Sequence, residues 1–204
     1  MQPVSGVGVR ASQAMARVLI PLAPGCEELE AVTVIDLLRR AQIEVVTAGL
    51  ASGAVKCSRG TVLLPDATLD DALRQDYDMI VLPGGQPGAT NLEHDPRILA
   101  LLKKMAAAGK FTAAICAAPK VLAVAGLLDG KRATSYPDTL DAQQFPAIRL
   151  ETQAVVHDGQ VLTSRGPGTA MDFALALIEV LTDRATRDRV ESGLVRPATH
   201  TLSQ

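Results

Sequence analysis

Short β-type runs alternate with helical segments along most of the chain, and this alternation restricts the fold more than any other feature. The β-type runs are predicted at residues 17–22, 43–50, 61–64, 78–82, 111–115 and 133–135. The helical segments are predicted at residues 27–41, 96–108, 117–125, 169–181 and 185–194. Parallel strands need crossover connections, usually helices, so this order predicts an α/β fold with a mostly parallel sheet between helical layers. Two further runs, 153–157 and 160–163, flank an Asp-Gly turn and predict an antiparallel hairpin.

Length and composition narrow the class of protein. A chain of 204 residues fits one domain, and 48% hydrophobic residues with no Trp fit an aliphatic core between a sheet and helices. The net charge of −2 gives no field that would attract nucleic acid or an anionic membrane. No apolar stretch reaches the roughly 20 residues that span a bilayer. We therefore expect neither a nucleic-acid partner nor a membrane partner.

The cysteines indicate the compartment. Cys26, Cys57 and Cys116 are an odd number, far apart in the sequence, and form no CxxC motif. This pattern argues against a disulfide framework and a thiolate zinc site, and it favours a reducing compartment. We predict a cytoplasmic protein without a metal.

The chain shows no internal linker or repeat, so we predict one domain over residues 15–195. Residues 1–14 lack periodicity and the apolar core of a signal peptide, and we expect a flexible extension there. Met1 and Met15 remain alternative native starts. Residues 196–204 are predicted to be a C-terminal tail.

The segment AAICAAP, residues 113–119, carries the strongest chemical signal in the sequence. A β-type run enters it and a helical run leaves it, so Cys116 lies at the turn, between the small residues that a strained nucleophile elbow needs. We expect the positive end of the helix dipole to lower the pKa of Cys116 and favour its thiolate. The alternative is that Cys116 is a small buried residue of the core.

Two further segments contain candidate partners for this cysteine. In the helix that follows GCEELE, Glu30 shares an apolar stripe with Val34 and Leu37, so burial should raise its pKa and keep it protonated. Glu27 lies on a similar stripe, and spacing alone does not decide between the two glutamates. The sequence LPGG at residues 82–85 is either an ordinary turn or a source of backbone N–H donors that, with Ala117, stabilise an oxyanion.

Several motifs together resemble one family. In order they are GCEELEAVTVIDLLRRAQIEVVTAGL, CSRG, VLPGGQPGA, AAICAAP and TSRGPGTAMDFAL. In this order and spacing they resemble the ThiJ/PfpI superfamily, and most of all the branch that holds the Parkinsonism-associated deglycase and the bacterial protein YajL. The resemblance covers residues 16–195, and it implies a flavodoxin-like homodimer.

Position by position, the resemblance assigns roles near the predicted elbow. Cys116 matches the family's nucleophile, and Glu30 matches the protonated glutamate beside it, which decides between the two glutamates. Gly85 and Ala117 match the backbone donors around the sulfur.

Charged residues are assigned by the same resemblance. Arg59 in CSRG matches an arginine that approaches the site across the dimer interface, and Glu27 matches one of its acidic neighbours. Arg165 in SRGPG corresponds to a second basic residue near the pocket.

The sequence also departs from the family's pattern at three positions. Ala117 stands where the protease-like branch has histidine, which argues against peptidase chemistry. Tyr136 stands where some close members have a histidine near the pocket. Cys26 replaces a small residue, either as a size match or as a resolving thiol that pairs with Cys116.

These assignments imply an enzyme without a cofactor that acts on methylglyoxal-type 2-oxoaldehydes, free or as early adducts on amines and thiols. The alternative is a redox sensor or stress chaperone controlled by oxidation of Cys116. Thiamine metabolism, another association of the superfamily, has no supporting motif, since neither a GxxxxGK loop nor a Rossmann glycine fingerprint is present.

Overall fold

A seven-stranded sheet lies at the centre of the computed structural model, which describes residues 15–197. The strands are β1 (Arg17–Leu22), β2 (Glu44–Gly49), β3 (Val55–Lys56), β4 (Val62–Leu63), β5 (Ala67–Thr68), β6 (Met79–Leu82), β7 (Phe111–Ile115), β8 (Arg132–Ala133), β9 (Arg149–Leu150), β10 (Val155–Asp158) and β11 (Val161–Ser164). The main sheet has the order β10-β11-β7-β6-β1-β2-β5. Its neighbouring strands are parallel except for the antiparallel hairpin of β10 and β11. The predicted α/β class and the predicted hairpin are confirmed.

Seven helices of the described residues surround this sheet. They are α1 (Glu28–Arg40), α2 (Leu69–Ala72), α3 (Gly88–His94), α4 (Pro96–Ala107), α5 (Pro119–Val124), α6 (Ala170–Leu181) and α7 (Arg184–Gly193). None of the helices in residues 15–197 has the length and hydropathy to cross a membrane. The predicted extension at residues 1–14, and the part of the predicted tail from residue 198 onward, lie outside the described residues.

Successive side chains of the buried strands point to opposite faces of the sheet, and this divides the core into two layers. On β1, Val18 and Ile20 belong to the layer under α1 and α6, whereas Leu19 belongs to the layer under α4 and α5. All three side chains are fully buried. Successive residues of a strand point to opposite faces, so an apolar run can support helices on both sides of the sheet.

Helix α1 is positioned by its two ends and by its buried face. Glu27 caps its N-terminus by accepting the backbone N–H of Leu29, and basic residues occupy its last turn. The predicted apolar stripe of Glu30, Val34 and Leu37 is buried against the sheet. This packing places a glutamate carboxyl inside the protein.

Several short elements differ from the predictions. Helix α3 was not predicted, because it begins at Gly88, within a Pro-Gly pair that is typical of a loop. The strand predicted at residues 61–64 is reduced to β4, which pairs with β3 outside the main sheet. The strand predicted at residues 133–135 is β8, one residue earlier, paired with β9 in a separate two-stranded sheet. Such short elements depend on tertiary pairing rather than on periodicity.

Candidate active site

Cys116 occupies a sharp turn between β7 and α5. Its backbone has φ +65°, in the left-handed region that non-glycine residues rarely adopt. Two backbone hydrogen bonds hold this conformation: Cys116 N–H donates to Ser164 O at 3.0 Å, and Tyr136 N–H donates to Cys116 O at 2.8 Å. The side chain is 9% exposed. This geometry is the predicted nucleophile elbow, which directs the sulfur out of the strand end.

The carboxyl group of Glu30 lies beside this sulfur. Its side chain is completely buried, and Oε2 accepts the backbone N–H of Gly84 at 2.9 Å. The Cys116 thiol is its other polar neighbour, and each of the two groups affects the pKa of the other. Oε1 has no further hydrogen-bond partner among the described residues, so this oxygen is available to hold a proton toward the sulfur.

A glycine turn after β6 lets these groups approach one another. A Cβ added at Gly84 would lie 2.6 Å from the Cβ of Cys116 and 2.8 Å from Oε2 of Glu30. Gly85 has φ +87°, and its N–H, like that of Ala117, is close enough to the Cys116 sulfur to act against the rise in the pKa of this thiol. The turn therefore provides space for the cysteine–glutamate contact and one of two backbone donors to the sulfur.

Burial shifts the pKa values of both groups. Burial raises the pKa of Glu30 to about 7, as the sequence analysis predicted. Burial, reinforced by the charge of Glu30, also raises the pKa of Cys116 to about 12, although the Gly85 and Ala117 N–H groups act to lower it. The expectation that a helix dipole lowers the pKa of Cys116 was therefore wrong. Helix α5 begins only at Pro119, and burial of the thiol is the largest cause of its pKa shift. The first proton that the pair loses as pH rises is therefore that of Glu30, near neutral pH.

A pocket of about 500 Å³ opens above this pair. Six residues assigned by sequence line it: Glu27, Glu30, Arg59, Gly85, Cys116 and Ala117. A cavity of similar volume elsewhere, next to Tyr77 and Met105, has mainly apolar walls and no cysteine or glutamate. The pocket above Cys116 is therefore the candidate active site.

Glu27 and Arg59 form the polar wall of the pocket. Glu27 is buried, and its Oε2 accepts the Ser58 hydroxyl at 3.0 Å. The Arg59 side chain is largely exposed, and its Nε lies 3.9 Å from Oε2 of Glu27. This separation leaves the guanidinium of Arg59 free to bind an incoming group.

Two assigned residues do not reach the pocket. The half-buried Arg165 is not part of the lining; its backbone N–H donates to the Thr169 hydroxyl at 3.2 Å. Cys26 is completely buried, and its Sγ lies 3.7 Å from Sγ of Cys57. The structure therefore places Cys26 beside Cys57 and shows no hydrogen bond between Cys26 and Cys116 within the described chain.

Several pocket residues were not assigned from the sequence. They are Ser58, Gln86, Thr139 and Pro167. Ser58, Gln86 and Pro167 belong to the quoted motifs CSRG, VLPGGQPGA and TSRGPG, so proximity to assigned residues was a usable signal. Thr139 comes from an irregular loop after β8, where no periodicity indicates which side chains face a pocket. Tyr136 of the same loop lines the pocket, at a position that the family resemblance places near it.

A metal site needs several donor side chains close together. Within residues 15–197, no cluster of three or more His, Cys, Asp or Glu side chains is arranged to hold a metal ion. The independence from a cofactor stays a prediction.

Known proteins resemble this chain over most of its length. The model of the DJ-1/PfpI family matches residues 16–180. Protein dj-1beta of Drosophila melanogaster is 43% identical over 178 residues, covering 87% of this chain and 95% of the relative. The glutathione-independent glyoxalase DJR-1.2 of Caenorhabditis elegans is 36% identical over 171 residues, covering 84% of this chain and 90% of the relative.

Solved structures show the same similarity in three dimensions. The crystal structure of Drosophila melanogaster DJ-1beta matches with a TM-score of 0.85 and 41% identity, covering 90% of this chain and 99% of that chain. The oxidized DJ-1 of Toxoplasma gondii matches with a TM-score of 0.83 and 38% identity, covering 88% of this chain and 98% of that chain.

Proposed function

This chain belongs to the DJ-1/PfpI family, and we propose that it is a glutathione-independent glyoxalase that converts 2-oxoaldehydes such as methylglyoxal to 2-hydroxy acids without a cofactor. The observation that carries the proposal is the buried contact of Cys116 with Glu30 at the floor of an open pocket. The C. elegans relative named as a glyoxalase supports the substrate class.

The reaction begins with attack of the Cys116 sulfur on the aldehyde carbon. Glu30, with a pKa of about 7, accepts the thiol proton as the carbon–sulfur bond forms. The aldehyde oxygen gains negative charge, and the N–H groups of Gly85 and Ala117 are placed to stabilise it. Glu30 then passes the thiol proton to this oxygen, which leaves a hemithioacetal on Cys116 and restores the carboxylate of Glu30.

Glu30 then transfers protons within the bound intermediate. It removes the proton from the former aldehyde carbon and returns a proton to the neighbouring carbon. The hydroxyl proton moves from the former aldehyde oxygen to the neighbouring oxygen, and the hemithioacetal becomes a 2-hydroxyacyl thioester. Water cleaves the thioester, restores the Cys116 thiol and releases the 2-hydroxy acid. Methylglyoxal and one water thus yield lactate, with no net oxidation or reduction.

Early aldehyde adducts on amines and thiols are further substrates under this proposal. The pocket is open to solvent, and the exposed Arg59 and the exposed Tyr136 lie on its wall. An adduct on a protein side chain therefore has room to place its carbonyl carbon near Cys116.

We propose that the protein acts in the reducing cytoplasm, because its three cysteines are free thiols.

The test follows lactate formation from methylglyoxal in the absence of glutathione. The variants Cys116→Ser and Glu30→Gln are compared with wild type, and Cys57→Ser is the matched control, because it changes a buried thiol outside the pocket lining. We expect Cys116→Ser to abolish turnover and Glu30→Gln to reduce kcat/KM by roughly 10²–10⁴-fold. Lactate formation that survives in Cys116→Ser would refute the mechanism.

We also propose that two copies of the chain associate. Four large apolar side chains are exposed on α1 and on the adjoining β4 segment: Leu29, Val32, Val62 and Leu64. The two segments are adjacent because the Glu28 carboxylate accepts the backbone N–H of Thr61 at 3.3 Å. Exposed apolar patches of this kind mark interfaces between proteins. Arg59 lies next to this patch, so a second copy would cover the pocket rim.

Oxidation sensing by Cys116 is the second candidate function. Its support is the set of donors around the sulfur, since the N–H groups of Gly85 and Ala117 and a protonated Glu30 suit the oxygens of a sulfinate. Titration with peroxide, followed by peptide mass analysis, tests it. We expect Glu30→Gln to change the yield of sulfinate at Cys116; a Cys116 that stays reduced under peroxide would contradict this function.

A further inference from the structure

Cys26 and Cys57 form a buried pair of thiols that the proposed activity does not use. Their Sγ atoms are 3.7 Å apart, although 31 positions separate the residues in the sequence. Two backbone hydrogen bonds hold the segments together: Gly25 N–H donates to Lys56 O and Ser58 N–H donates to Cys26 O, each at 2.8 Å. These two bonds hold the backbones of the two segments side by side, so the two sulfurs stay in contact.

The separation of the sulfurs is suited to oxidation. An S–S bond is about 2.0 Å long, so the sulfurs need to approach by about 1.7 Å from the observed 3.7 Å. Side-chain rotation in a cluster of small and aliphatic residues can supply a movement of this size.

The surroundings distinguish the two thiols. Burial raises the pKa of both, but their mutual hydrogen bond lowers that of Cys57 and raises that of Cys26. Cys57 is 4% exposed, whereas Cys26 is completely enclosed. Cys57 is therefore the thiol that meets a small oxidant first, and Cys26 is the thiol that resolves the product.

We propose that Cys26 and Cys57 are a redox modification site that forms a reversible intramolecular disulfide with a hydroperoxide as the oxidant. The Cys57 sulfur attacks the peroxide, the O–O bond breaks, and the products are a sulfenic acid on Cys57 and one water. The Cys26 sulfur then displaces the sulfenic oxygen, which leaves as a second water after taking the Cys26 proton. Two thiols and one hydrogen peroxide thus give one disulfide and two waters.

The disulfide would join two segments that border the active site. Cys26 directly precedes Glu27, the cap of α1, and Cys57 directly precedes Ser58 and Arg59 of the pocket wall. A covalent link would hold the start of α1 against this wall and close a long loop, which stabilises the fold relative to the unfolded chain. The proposal uses neither Cys116 nor Glu30, so it stands or fails independently of the proposed activity.

The experiment uses the Cys116→Ser chain, in which Cys26 and Cys57 are the remaining cysteines. The reduced protein is treated with hydrogen peroxide, its intact mass is measured, and it is digested with trypsin without reduction. We expect a monomer lighter by about 2 Da, a link between the peptides of residues 18–39 and 57–59, and full recovery of both thiols with dithiothreitol. Wild type should give the same linked peptides.

The matched control adds Cys57→Ser to the same chain, and the lighter monomer should then be absent. Oxygen addition at Cys57 without a linked peptide would overturn the proposal. A link found only between two chains would overturn it equally. So would unreacted thiols under conditions in which the urea-unfolded chain forms the disulfide.

Discussion

The backbone N–H of Gly84 donates a hydrogen bond of 2.9 Å to Oε2 of Glu30, which lies 54 positions earlier in the sequence. This bond orients the carboxyl so that its second oxygen remains available for the Cys116 thiol. A turn with no side chain thereby controls the relative position of an acid and a nucleophile.

We expect Gly84→Ala to reduce kcat/KM with methylglyoxal by roughly 100-fold, because misplacement of reacting groups by about 1 Å has this effect. The new Cβ would lie 2.6 Å from Cβ of Cys116 and 2.8 Å from the carbonyl oxygen of Ile115, so the backbone must shift. The control is Gly193→Ala, where an added Cβ meets nothing within 4 Å. Equal activity of the two variants would contradict the proposed role of the turn.

The pH dependence of turnover should report the shared protons of Cys116 and Glu30. The form with one proton on the pair is active and the fully protonated form is not, so kcat/KM should rise with pH through about 7, the pKa of Glu30. Measurements of lactate formation from pH 5.5 to 8.5 test this. In Glu30→Gln the rise should disappear, and in Cys57→Ser it should remain. A flat wild-type profile would exclude Glu30 as the base.

The unfolding free energy should also depend on pH because of Glu30. Burial raises the pKa of this carboxyl from 4.5 to about 7, so the folded state holds a proton that the unfolded state releases. This contribution is fully present below pH 4.5 and is lost as pH rises through 7. Relative to Glu30→Gln, the wild type should therefore lose roughly 2–3 kcal/mol of unfolding free energy between pH 5 and pH 8.

Urea unfolding of both proteins at the two pH values measures this difference. Asp66→Asn is a control for which no pH dependence is expected between pH 5 and pH 8. Burial acts to raise the pKa of Asp66, but hydrogen bonds from Thr47 and the Arg39 guanidinium lower it. The stabilisation by Asp66 is lost only as pH falls below 3.8, so Asp66→Asn should differ from wild type by the same amount at both pH values. A wild-type difference from Glu30→Gln that is constant with pH would show that Glu30 is ionised in the folded protein at low pH.

Glu28 should stabilise the loop that carries Arg59. Its carboxylate accepts the backbone N–H groups of Arg59 at 3.0 Å and Thr61 at 3.3 Å. Partial desolvation raises the pKa of Glu28, but these hydrogen bonds outweigh it and lower the pKa. We expect Glu28→Gln to reduce the unfolding free energy at pH 7 by about 1 kcal/mol, with a smaller loss as pH falls toward 4.

Chemical denaturation of Glu28→Gln at pH 7 and pH 4 checks this prediction. Glu93→Gln is the comparison, because Glu93 makes no side-chain hydrogen bond within residues 15–197. The same loss in both variants would remove the loop contacts as the cause.

If two copies associate through the exposed apolar patch, a charge introduced into that patch should weaken their association. Val32 on α1 is 45% exposed, and Val32→Glu should shift the mass in sedimentation equilibrium from dimer toward monomer. The control is Val124→Glu on α5, a position that is 41% exposed outside the patch. A monomeric wild type, or an unchanged mass of Val32→Glu, would contradict the proposed interface.

Local patterns accounted for the parts of the site that lie within one segment. The elbow at Cys116 was predictable because a β-type run, small residues and a helix-compatible proline are consecutive in the sequence. The burial of Glu30 was predictable because the 3.6-residue period of α1 places it with Val34 and Leu37. Both inferences depend on backbone geometry over a few residues.

Periodicity and turn chemistry act over short distances, so they were sufficient to predict the order of the longer strands and helices, the turn at Cys116 and the inward face of α1. The tertiary structure was needed to reveal the contact of Gly84 with Glu30, the pairing of Cys26 with Cys57 and the position of Arg165 outside the pocket. It also reversed the expected direction of the pKa shift of Cys116. Desolvation and contacts between distant segments depend on how the chain packs in three dimensions, and no local pattern contains that information.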